Sequence, residues 1–196
     1  MAEDVQIIGI DPSLRSTGLA YLMRDGYYWE RLAFHRDIAR ESILTSILEE
    51  FFNPPPFGGK WIVGIEGYAY GKSASSGFTP VIEVGGVIRS AVGRWAPWVE
   101  IPPPTWKWAI LGKECMVIKK GTREKNRRYI EVVCKALGFE SPMFNTTDEA
   151  DAFCIATYVK RLLDGSIKPK GTSIRIARQL GEALEKDYAS YNRSGL

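Results

Sequence analysis

Cysteine is scarce in this chain. Cys115, Cys134 and Cys154 lie far apart among 196 residues, form no CxxC pair and offer no disulfide framework, so they read as reduced thiols of a cytoplasmic protein. Histidine is scarcer still. His35 is the only one, falls at the end of a predicted strand, and reads as structural or solvent-exposed. No apolar run approaches the ~20 residues that span a bilayer. The opening MAEDVQIIGID has neither the basic start nor the long apolar stretch of a signal peptide. The expectation is a soluble protein with no membrane partner. Repeats and low-complexity tracts are also missing, which excludes solenoids and linker-like chains. An excess of one charge is missing too: 26 basic against 23 acidic residues leave a net charge of +3. That balance excludes little, because a nucleic-acid surface needs local clustering more than a high total.

What is present fits a single domain with a real core, since 45% of the residues are hydrophobic. Val5 to Ile10, Thr17 to Met23 and Tyr27 to Phe34 are β-branched or aromatic runs separated by turn residues, and predict a three-stranded antiparallel meander. Apolar residues at helical spacing predict helices over about Asp37–Phe52, Pro80–Trp95, Thr122–Leu137 and Thr147–Leu163. Trp61 to Ile65 and Trp98 to Ile101 read as further strands, the second running into three prolines. Ser173 to Lys186 reads as an appended amphipathic helix. Together these elements predict an α/β fold, a mixed five-stranded sheet flanked by helices.

Two strands end in nearly the same words, Ile7-Ile8-Gly9-Ile10-Asp11 and Ile62-Val63-Gly64-Ile65-Glu66. Alternation puts each glycine on the same face as the acid that follows it, and leaves open space beside the carboxylate. Thr146-Thr147-Asp148-Glu149-Ala150-Asp151 opens a predicted helix. Thr146 and Glu149 match a capping box, which accounts for acids in the first turn. It does not account for Asp151, which shares a stripe with Asp148, Ile155, Tyr158 and Leu162. A helix face that packs on a sheet yet carries two carboxylates needs a cation. Asp11, Glu66, Asp148 and Asp151 are therefore candidate oxygen ligands for magnesium or manganese. Two such ions about 3.5–4 Å apart serve phosphodiester hydrolysis.

The run Gly9-Ile10-Asp11-Pro12-Ser13-Leu14-Arg15-Ser16-Thr17-Gly18 resembles the opening motif of the RuvC-like Holliday junction resolvases, the crossover junction endodeoxyribonucleases. Ile65-Glu66 and Asp148-Glu149-Ala150-Asp151-Ala152 resemble the second and third acidic motifs of that family. The resemblance covers roughly residues 5 to 163. It implies a ribonuclease H-like nuclease domain over residues 1–165, with 166–196 as a helical extension of it. It also implies a homodimer that nicks a four-way DNA junction symmetrically with two magnesium or manganese ions, and no nucleotide cofactor. Carried over position by position, Asp11, Glu66, Asp148 and Asp151 are its metal ligands, and Lys107 and Lys125 match its basic residues near the cut. The family joins its subunits through the helix matching Pro80–Trp95, so the stripe Val81, Val84, Gly85, Ile88 and Val92 is the implied dimer face. Ser13 stands where bacterial members carry glycine, and Ala69 where they carry an aromatic residue. Those departures and the Ser173–Lys186 stretch suggest a divergent, phage-type member.

Around the acids, Lys72, Lys119, Lys120, Arg123, Arg127 and Arg128 are candidate phosphate contacts, against the alternative of a solvated helix face. Lys168, Lys170, Arg175 and Arg178 form a second basic cluster. Tyr68 and Tyr70 are candidates to stack on an unpaired base. Trp95, Trp98, Trp106 and Trp108 read mostly as core. The rival readings are a YqgF-like nuclease acting on structured RNA or other branched DNA, an actin-like ATPase or sugar kinase, and a junction-binding protein without catalysis.

Overall fold

The N-terminal β-branched run forms β1 (Val5–Asp11), which pairs antiparallel with β2 (Ser16–Met23); β2 in turn pairs with β3 (Gly26–Ala33). On the other side of β1, β4 (Lys60–Glu66) adds in parallel and β5 (Trp98–Ile101) follows it, in the order β3-β2-β1-β4-β5. The computed structural model describes residues 5–67, 79–116 and 120–185. The mixed five-stranded sheet read from the sequence is the one observed.

One face of the sheet packs on α1 (Arg40–Phe52) and α2 (Thr79–Val92), with Ile43, Ile47, Val84 and Ile88 fully buried against Ile8, Ile10 and Val63. The other packs on α5 (Thr147–Leu163), around which α3 (Pro103–Leu111), α4 (Arg123–Leu137) and α6 (Thr172–Glu185) gather. Ile176 and Leu180 of α6 are buried in that same core. Among the described residues, no helix is long and apolar enough to cross a membrane.

Helix α3 is the element that sequence patterning missed. Pro102-Pro103-Pro104 reads as a break, but proline suits the first turn of a helix, where its missing N–H has no partner to lose. The helix starts at Pro103 and ends at Leu111, followed by Gly112 with a positive φ of 60°. It matters because it carries Trp106 and Lys107. Two further expectations need correcting. Of the four tryptophans, Trp106 is fully buried and Trp95 donates its indole N–H to the Phe51 carbonyl at 2.9 Å, but Trp98 and Trp108 are exposed. The stripe assigned to a dimer face also belongs to the core: Val84, Gly85, Ile88 and Val92 are buried within this chain. A helix lying on a sheet buries its most apolar stripe first. The outer side of α2 instead exposes Ile82 and Gly86.

The seat of α5 depends on three glycines. A methyl group on Gly9 would run into the carbonyl oxygen of Ala152 and come within 2.9 Å of the Ala156 side chain. One on Gly18 would strike the Asp148 carbonyl, and one on Gly64 would meet Val159 at 2.8 Å. Gly9 and Gly64 face each other across the β1–β4 ladder. The space beside the acids is therefore not open, as the sequence suggested; α5 fills it, backbone against backbone. Gly9→Ala is expected to destabilise the fold by about 3 kcal/mol, because rigid backbone cannot yield as a side chain can. Urea unfolding of the variant beside the parent protein measures this.

Candidate active site

The parallel register that ends at Ile10 opposite Ile65 brings Asp11 and Glu66 side by side at the C-terminal edge of the sheet. Helix α5 enters above that edge. Thr146 caps it, accepting from the Glu149 N–H at 3.3 Å, while the Glu149 carboxylate accepts from the Asn145 and Thr146 N–H groups at 2.7 and 3.0 Å. The capping box read from the sequence is thus formed, and Glu149 is occupied by it. The seat on Gly9 and Gly18 then fixes how deep the first turns lie, and holds Asp148 and Asp151 over the strand ends.

The acids differ in surroundings. Asp151 is 1% exposed; its carboxylate accepts from the Tyr129 hydroxyl and from the Lys120 ammonium, with Lys107 4.0 Å away. Glu66 accepts from the buried Trp106 indole at 3.0 Å. Asp148 is half-buried and accepts from the Ser16 and Thr147 hydroxyls. Burial holds the Asp11 carboxyl well above the usual carboxylate range, Glu66 and Asp151 push it further, and Lys120 only partly offsets them. Glu66 is raised in the same way, by burial and then Asp151, against Lys107. The Lys120 ammonium is raised, because its attraction to Asp151 and Asp11 outweighs its own burial.

Trp106, Tyr129 and Ser16 were not expected in this role. A buried tryptophan or tyrosine needs a partner for its polar atom, but the sequence does not say which. Lys120, a candidate phosphate contact, places its ammonium against the Asp151 carboxylate. Lys125 is exposed on the first turn of α4, where its N–H donates to the Thr122 cap at 3.3 Å. Arg123, Arg127 and Arg128 line the exposed start of α4, and Arg127 pairs with Glu131 at 3.0 Å. Lys168, Lys170, Arg175 and Arg178 are exposed around the start of α6. His35 is exposed beside Asp37. Tyr68, Tyr70, Lys72 and Lys119 lie outside the described residues.

Among the described residues, no three acids, histidines or cysteines close into a cage around one point. The donor set nevertheless suits a hard divalent cation. It is all oxygen, largely desolvated, and its like charges already draw in an ammonium group at Asp151.

No protein-family model matches the chain, and no curated protein matches it. Solved structures do, and two of them are RuvC structures. One is a Thermus thermophilus RuvC in complex with a Holliday junction substrate, at TM-score 0.58 and 18% identity over 85% of this chain and 99% of that one. The other is a Thermus thermophilus RuvC structure at TM-score 0.55 and 18% identity, over 84% and 99%. The chain has a ribonuclease H-like fold. At this identity the similarity establishes the fold, and leaves the chemistry to the side chains.

The raised carboxyls make a stability prediction. An acid whose folded pKa lies above its unfolded value makes the protein less stable as pH rises between the two. In metal-free buffer, Asp11→Asn is therefore expected to raise the melting temperature at pH 8, by about 2–4 °C per kcal/mol of relieved repulsion. The gain should vanish near pH 4, where the parent carboxyl is already protonated. Thermal unfolding at both pH values, with chelator present, checks the sign.

Proposed function

We propose that the chain is a metal-dependent endonuclease that resolves four-way DNA junctions. The observation that carries this reading is the gathering of Asp11, Glu66, Asp148 and Asp151 from two strand ends and one helix start, at the edge of a ribonuclease H-like sheet. The RuvC structure with the same fold holds a Holliday junction substrate. Asp11, Glu66, Asp148 and Asp151 would hold two magnesium or manganese ions. Those ions supply neutralisation of charge at the cut phosphate and activation of the attacking water.

The remaining groups have their own parts. Trp106 orients the Glu66 carboxylate, and Tyr129 that of Asp151. Lys107 and Lys120 bring positive charge to the cut phosphate, with Lys125 as a further basic group from the start of α4. Tyr68, Tyr70, Lys72, Lys119, Arg123, Arg127 and Arg128 are the proposed DNA contacts. Paired symmetric nicks require two sites, hence a homodimer, for which the outer side of α2 is the available face of that helix. A YqgF-like activity on structured RNA would use the same acids, and substrate comparison separates the two.

Asp151→Asn is expected to slow junction cutting by at least about a hundredfold, while junction affinity stays near the parental value. Nick mapping on a mobile four-way junction with magnesium reads both. Paired symmetric nicks support the reading, and an Asn variant that cuts at the parental rate overturns the site. Sedimentation at micromolar concentration is expected to show a dimer.

A further inference from the structure

Beside the acids lies a cavity of about 690 Å³, bounded by β3 and by the first turns of α4 and α5. Its position follows from the sheet register. Arg31 of β3 pairs with Gly18 of β2, and directly opposed residues on antiparallel strands project to the same face. Gly18 touches the Asp148 backbone, so Arg31 stands on the α5 side, one strand beyond the Gly18 that seats Asp148 and two strands from Asp11. Arg123 and Arg127 line the cavity from α4, and Asp148 lines it from the start of α5.

The three arginines are not equivalent. Arg127 is held by Glu131 at 3.0 Å. Neither Arg31 nor Arg123 has a carboxylate partner among the described residues. Two unpaired guanidinium groups from separate elements therefore converge on one cavity. The buried Ile130 and Phe144 add apolar lining, and Asn126, Asn145 and Thr146 add polar groups. Exposed guanidinium groups beside mixed apolar and polar lining suit one nucleotide unit, phosphate on the arginines and sugar or base against the rest.

We propose that this cavity holds the nucleotide next to the scissile position, and that Arg31 and Arg123 bind its phosphate. The proposal rests on the nuclease reading for the word scissile, but the contact itself is measurable without cutting. Bound there, the strand is held on the Asp148 side of the site, which fixes which phosphate meets the acids. Arg31 lies far in sequence from the basic run of α4, and only the β2–β3 register brings it there.

The test is binding in chelator of a labelled four-way junction, a duplex and a single strand, from 50 to 200 mM salt. Arg31→Gln, Arg123→Gln and the double variant are compared with the parent and with Arg94→Gln, a control whose guanidinium lies over Phe52 on the α1–α2 face. Each single variant is expected to reduce the salt slope by about 0.7–0.9, and the double variant by about twice that. Affinity should fall about tenfold with unchanged melting temperature. A single neutral methylphosphonate, walked along the strand, is expected to weaken the parent at one position and leave the double variant indifferent there.

Parental slope and affinity in the double variant on every probe overturn the proposal. So does an equal effect of Arg94→Gln, the absence of any such methylphosphonate position, or a parent protein that binds none of the probes. Binding that depends on Arg31 and Arg123, without magnesium-dependent nicks, would instead remove the nuclease reading and leave the phosphate pocket standing.

Discussion

The close seating of α5 on the sheet is the constraint from which the site follows. Helix and strands ordinarily pack through side chains, which keeps their backbones well apart. Here Gly9 and Gly18 remove the side chains on one side, and the Ala152 and Asp148 backbone carbonyls come down into the space left. The approach is close enough to bring carboxylates on the first two turns of α5 among those at the ends of β1 and β4. A fold with the same elements but ordinary helix–sheet spacing would hold Asp148 and Asp151 too far from the strand ends to share one site. The glycines that look like empty space in the sequence are thus the means of positioning.

That geometry has an electrostatic consequence. Bringing buried carboxylates together raises the free energy of their ionised forms, and the protein answers locally in several ways. Trp106 and Tyr129 donate to the acids, and Lys120 places its ammonium against Asp151. Each response is partial, since the carboxyls of Asp11 and Glu66 stay raised. Burial and mutual repulsion of these carboxyls thus leave a site that favours added positive charge, as the Lys120 ammonium against Asp151 shows.

Much of this was legible beforehand. The repeated Gly-x-acid strand ends marked Asp11 and Glu66. The stripe logic marked Asp151 as an acid on a buried face, and it is the most deeply buried of the four. The capping box read at Thr146 and Glu149 is formed, and it occupies the Glu149 carboxylate. Less legible was anything that depends on a partner distant in sequence. Trp106 looked like ordinary core because its apolar bulk is core; only its N–H belongs to the site. Lys120 and Lys125 are equally basic in the sequence, and only the path of the chain into α4 puts the first against Asp151 and leaves the second at the surface. The apolar stripe of α2 was assigned to a second subunit on the family resemblance, and periodicity could not correct it, because it reports that a face is buried without saying against what.

The sequence by itself determined the mixed sheet and every helix but α3, and marked the acids as candidates. These depend on local periodicity, turn residues and charge placed against an apolar pattern, all of which act over a few residues. Tertiary structure alone decided which groups face those acids, where α3 presents Trp106 and Lys107, and that Arg31 meets Arg123 across a cavity. Those outcomes depend on strand register and on the depth at which α5 sits. Both are set by contacts between residues far apart in the chain, where side-chain identity is a weak guide to proximity.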